Sequence, residues 1–155
     1  MRPLTLSVLL AISLFCTMSA SAAPAPDDRI ALQGLKSAKV IFDVRVPDQE
    51  KLVFNLQLIK ETLQGIRRQK VRPVAIVTFR GPGVKLVTRE SADSEVVELL
   101  AEMKGDGVRF EVCNVAMRLF KVEQAAVIPE VVRVGNVLNS LIGYQSRGYA
   151  LVSLN

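Results

Sequence analysis

The sequence predicts an α/β fold: a three-layer α/β/α sandwich around a mostly parallel five-stranded sheet. Three observations carry this. Strand-like and helix-like patterns alternate from Lys36 onward, the mark of strand–helix–strand units. The runs Val40-Ile41-Phe42 and Val74-Ala75-Ile76-Val77 are apolar without interruption, as strands covered on both faces should be. The chain has 155 residues, half of them apolar, enough for one well-cored domain and not comfortably for two.

Lys36 to Val46 reads as the first strand. Pro47 and Asp48 then open a helix. Asp48 suits its N-cap, and Asp48 with Glu50 suits the positive end of the helix dipole. Leu52, Leu56, Ile59 and Leu63 form one apolar stripe, and Gly65 marks a stop. The basic cluster Arg67, Arg68, Lys70 and Arg72 is expected in a solvated loop. Val71 to Phe79 is the second strand, with Pro73 near its start, where a missing N–H does no harm. Arg80-Gly81-Pro82-Gly83 turns the chain into Val84-Lys85-Leu86-Val87. It lacks the spacing of either glycine-rich phosphate motif.

Ser94 to Lys104 is a helix with Val96, Val97, Leu100 and Met103 on one side. Val108, Phe110 and Val112 alternate with Arg109 and Glu111 in a third strand. The two charged residues are expected to face outward, on a less covered side. Asn114 to Lys121 reads as a short helix that Asn114 can cap, and Glu123 to Ile128 as a further helical turn. Val131 to Val134 is a fourth strand. A helix follows, with Val137, Leu138, Leu141 and Ile142 inward and Gly148 at its end. Tyr149 to Leu154 is the last strand.

The N-terminal segment has a different purpose. Met1 to Ala22 has a basic start, an uncharged apolar run and a small-x-small end at Ala20-Ser21-Ala22, which is the pattern of a cleaved secretory signal. The run is short for a membrane span, so no stable membrane insertion is expected after cleavage. Residues 23–35 then form a linker and 36–155 the folded domain. Export, to a bacterial periplasm, would remove Cys16 and leave Cys113 alone. One cysteine cannot form an internal disulfide. It is therefore buried and inert, paired between chains, or kept for its reactivity.

The chain contains no histidine. That excludes histidine bases and histidine metal ligands, and with them serine–histidine and cysteine–histidine catalysis. A zinc or iron–sulfur site is not expected either, and no cofactor is implied. Net charge is +5, which is mild. With no aromatic platform beside the basic cluster, nucleic acid is not an expected partner.

Cys113 is where chemistry is easiest to place. It stands where a strand ends and a helix begins. Helix amides and the dipole would favour a thiolate there, and Arg118, one turn on, would add positive charge. The plain alternative is a small hydrophobe in the core. Ligands of parallel sheets gather at the carboxyl ends of strands. Cys113 and the Arg80–Gly83 turn both lie at such ends, and share a pocket if the second and third strands are neighbours.

Several stretches together resemble the DsrE/DsrF-like family. They are Lys39-Val40-Ile41-Phe42, Asn55-Leu56, Gly81-Pro82-Gly83-Val84-Lys85-Leu86, Gly107-Val108-Arg109-Phe110 leading to Cys113, then Asn114, Met117-Arg118 and Gln145-Ser146-Arg147-Gly148-Tyr149-Ala150. The resemblance implies a parallel five-stranded sandwich and a homo-oligomer, trimer or hexamer. It implies a cysteine at this strand end, Cys113, that carries sulfur as a persulfide, with Gly81 to Gly83 lining the same pocket. Many members have histidine where this chain has Arg80, and glycine where it has Asn114. The candidate site is therefore Cys113 as the sulfur-bearing residue and Gly81 and Gly83 beside it, as the resemblance implies, with Arg80, Lys85, Asn114 and Arg118 added from their charge, polarity and place in the sequence. Its partners would be a sulfur donor and acceptor, either a protein or a small thiol. Two alternatives stand beside a sulfur carrier: a small-anion-binding module in which Cys113 only packs, and a structural oligomer whose activity lies in a partner.

Overall fold

The computed structural model describes residues 27–155. The signal segment and Cys16 lie outside them. Five strands form one sheet, β1 (Ser37–Val44), β2 (Arg72–Phe79), β3 (Arg109–Cys113), β4 (Val131–Val134) and β5 (Ala150–Leu154), in the order β4-β3-β2-β1-β5. Every pairing is parallel, so β2 and β3 are neighbours. The helices are α1 (Arg29–Leu32), α2 (Gln49–Arg68), α3 (Ser94–Gly105), α4 (Asn114–Leu119) and α5 (Val137–Gln145). Two 3₁₀ segments, Gly81–Val87 and Gln124–Ala126, fill the connections after β2 and α4. The described part of the expected linker, residues 27–35, holds the short helix α1.

Topology decides which helix covers which face. The chain steps from β1 to β2 to β3 in one direction, then returns from β4 to β5 in the other. Right-handed crossovers put those two sets of connections on opposite faces. Helix α2 packs over Val40 and Phe42, beside β5, and α3 lies alongside α2, tied by Lys60 to Glu102 at 2.6 Å. The stacked rings of Phe79 and Phe110, 6.2 Å apart, belong to the same face. Leu56 and Ile59 are fully buried there, each contributing about 1.5–3 kcal/mol in removal of apolar surface from water. Among the described residues the opposite face carries α5 alone.

Four local expectations are corrected. Helix α2 is capped by Asp48, whose carboxylate accepts from Lys51 N–H at 2.9 Å, but it does not stop at Gly65. It runs to Arg68, so Arg67 and Arg68 are its last turn rather than loop, where they complement the dipole. Its end is a Schellman motif: Val71 N–H donates to Ile66 C=O and Lys70 N–H to Arg67 C=O, with Lys70 at φ 62 in the position glycine usually takes. Helix α4 begins with Asn114, so its N-cap residue is Cys113 and Asn114 caps nothing. On α5 only Val137 and Leu141 turn inward; Leu138 and Ile142 are exposed. Finally, Glu111 is buried, at 1% exposure, and only Arg109 of that pair reaches solvent.

Candidate functional site

The carboxyl ends of β1, β2 and β3 carry two polar rows on the α5 face. Register aligns Asp43 with Thr78 and Thr78 with Glu111. All three are buried. Continuing both registers to the rim brings Arg45, Arg80 and Cys113 into the next row, with strands about 4.8 Å apart. The bond from Arg80 N–H to Val44 C=O shows the β1–β2 pairing reaching that row.

A buried carboxylate needs a partner, and Asp43 has several. Arg80 grips it with Nε at 2.9 Å from Oδ1 and Nη2 at 2.8 Å from Oδ2. The Thr78 hydroxyl donates to Oδ1 at 3.2 Å, and Arg45 Nε stands 3.8 Å from Oδ2. The hydrogen bond to Asp43 holds the Arg80 guanidinium more firmly protonated than usual; burial opposes this, and the charge on Asp43 adds to it. Register places Cys113 beside Arg80 in that row.

Cys113 itself is 5% exposed. Its Sγ accepts from the N–H of Val137 at 3.5 Å. Val137 is the first residue of α5, whose own cap is Asn136 accepting from Leu138 N–H at 3.0 Å. The helix amide that meets the sulfur is therefore α5's, not that of α4, which was expected to supply it. A helix N-terminus has amides without internal partners and favours negative charge.

The other expected site residues divide. Gly81, at φ +60, supplies a backbone conformation that costs other residues about 1–2 kcal/mol. Gly83 sits where a Cβ would come within 3.2 Å of Val46 C=O, so it lets two connecting segments touch. Lys85 is drawn away: its ammonium lies 5.8 Å from the ring of Phe120, at the opposite end of α4 from Cys113. Asn114 is half-buried with no side-chain hydrogen bond among the described residues, and Arg118 is exposed in the last turn of α4. Of the expected residues the structure brings Arg80 and Cys113 into one row, and it adds Asp43, Thr78 and Arg45, which sequence reasoning passed over. One signal was available: Asp43 interrupts an apolar strand, and a carboxylate there calls for a cation.

A second cluster adjoins it. Glu111 Oε1 accepts from Arg109 Nε at 2.6 Å and from the Tyr144 hydroxyl at 2.9 Å, while Oε2 is buried without a partner among the described residues. Burial and the bond to Glu111 push the Tyr144 phenol above its ordinary value. These contacts fasten α5 to β3. No group of three or more potential metal ligands among histidine, cysteine and acidic residues occurs among the described residues.

The family model for the DsrE/DsrF-like family matches residues 38–154, which is most of the chain and all five strands. The chain belongs to the DsrE/DsrF-like family. Two solved structures share its fold. One is the protein of unknown function MTH1491 from Methanobacterium thermoautotrophicum, at 20% identity and TM-score 0.65, covering 76% of this chain and 99% of that one. The other is the ychN protein from E. coli, at 12% identity and TM-score 0.58, covering 75% and 98%. No curated protein matches the sequence.

Proposed function

We propose that this DsrE/DsrF-like protein is an exported, periplasmic sulfur carrier that holds sulfane sulfur on Cys113. The observation that carries the reading is the setting of Cys113 Sγ, which accepts a helix N-terminal N–H and stands in the same row of the sheet rim as Arg80. A sulfur anion, thiolate or persulfide, is accommodated by both. In uptake, the Cys113 thiolate attacks the terminal sulfur of a donor persulfide, R–S–SH. One S–S bond forms, the donor's S–S bond breaks, and the donor leaves as its thiolate. Delivery is the same exchange with the roles reversed. Nothing is consumed, so the protein is a carrier more than a turnover enzyme.

Burial of the sulfur favours a second reading, a small-anion-binding module in which Cys113 only packs. One experiment separates the two. Protein treated with polysulfide and then desalted is examined by intact-mass spectrometry, alongside Cys113→Ser. The carrier gains one sulfur on Cys113 while remaining folded. No mass gain in the folded protein, with gain only after denaturation, overturns the carrier and leaves the binding module. Assembly as a trimer or hexamer is part of the same proposal. It is supported by Leu138 and Ile142, one turn apart and exposed on α5, and by exposed Val132 and Leu151 on the same face of the sheet. One short helix leaves that face thinly covered, and a second copy would complete it.

A further inference from the structure

We infer that Arg45, Asp43 and Arg80 form an oxyanion-binding cradle at the rim of the sheet, taking a ligand group with three or more oxygens on one centre, such as a sulfonate or sulfate. The inference rests on how one buried carboxylate is shared. Asp43 Oδ2 faces Arg80 Nη2 at 2.8 Å and Arg45 Nε at 3.8 Å, so a single anion is hydrogen-bonded to one guanidinium and draws a second beside it. Asp43 occupies only one edge of each. Arg80 Nη1 and both terminal nitrogens of Arg45 have no hydrogen-bond partner among the described residues. Two positive charges against one negative leave the cluster at +1.

Guanidinium groups recognise oxyanions through paired N–H donors, and the gain depends on their orientation being fixed beforehand. Here Asp43, 2% exposed at its side chain, is anchored in turn by Thr78, so the Arg80 orientation is built in from below, and Arg45 is drawn to the same carboxylate by charge. Arg80 is 28% and Arg45 39% exposed at the side chain, which leaves both accessible from the rim. The row also contains Cys113. On the carrier reading, the cradle would hold the anionic part of a sulfur compound beside the sulfur that reacts. Oxyanion binding itself asks nothing of Cys113, so the two stand or fall separately.

Inorganic sulfate is the probe, titrated calorimetrically into the protein in a buffer free of other polyvalent anions, with methanesulfonate as a monoanionic comparison. Saturable one-to-one binding is expected, weakened at least tenfold in Arg45→Gln and in Arg80→Lys. Cys113→Ser should bind as the unaltered protein does. Arg45 is exposed enough for its variant to keep the fold, and an unchanged Tm would verify that. Absence of saturable binding, or equal binding by Arg45→Gln, overturns the cradle whatever Cys113 does. Loss of binding in Cys113→Ser with Arg45→Gln unaffected would overturn it too, by moving the anion site to the sulfur.

Discussion

Asp43 and Arg80 are bonded to each other, yet removing one should not cost what removing the other does. In Arg80→Met the Asp43 carboxylate, 2% exposed, loses three N–H···O contacts of 2.8–3.1 Å. It keeps one hydroxyl at 3.2 Å and a guanidinium at 3.8 Å. A buried charge stripped of its main partner destabilises by about 3–5 kcal/mol, and the residual contacts place this variant near the lower end. In Asp43→Asn the group left behind is Arg80, which is 28% exposed at its side chain and can turn toward water. The loss there is about 1.5–2 kcal/mol, the low end for a charge-assisted bond, because the freed guanidinium re-solvates. Urea unfolding, followed by circular dichroism, measures both. The expected order is Arg80→Met well below Asp43→Asn, with equal m-values, and the double variant less damaged than Arg80→Met alone. Equal midpoints for the two single variants, or a double variant at the sum of the singles, would show that burial of Asp43 is not what governs the pair.

Two further outcomes follow from other contacts. Tyr144→Phe removes a donor from Glu111, whose second oxygen is already unpartnered, and should cost about 1–2 kcal/mol at neutral pH. The folded phenol titrates above its unfolded value, so this contribution is fully present below about pH 10 and is lost as pH rises through the raised folded value; a gap between the two proteins that stayed constant on going alkaline would refute this. Lys70→Gly relieves a left-handed residue at φ 62 and should stabilise by about 0.5–1 kcal/mol, seen as a higher urea midpoint; no rise would mean that the Lys70 side chain compensates for its backbone.

Much of the architecture was legible because apolar runs are long and punctuated. Val40 to Phe42 and Val74 to Val77 read directly as inner strands, and the β4 bounds were read to the residue. What alternation could not supply was which side of a strand is covered. Arg109 and Glu111 have the same parity, yet one is exposed and the other sealed by Tyr144 from an element 33 residues away. Leu138 and Ile142 misled in the opposite sense: apolar spacing on α5 marks two faces, and only Val137 and Leu141 have a sheet beneath them. The stop of α2 had no sequence signal, since a lysine takes the left-handed position that Gly65 had suggested earlier in the chain. Cys113 was placed at a strand end by pattern alone. The amide that meets its sulfur comes from α5, and no local motif announces a contact across 24 residues.

That amide is also an observer. Val137 donates to sulfur where most helix-initiating groups meet oxygen or solvent. Whatever is attached to, or stripped from, the Cys113 side chain therefore alters the chemical shift and the hydrogen-exchange rate of one backbone proton. The state of the sulfur can be read by nuclear magnetic resonance in intact protein, without a chromophore, a label or a reagent that would consume it.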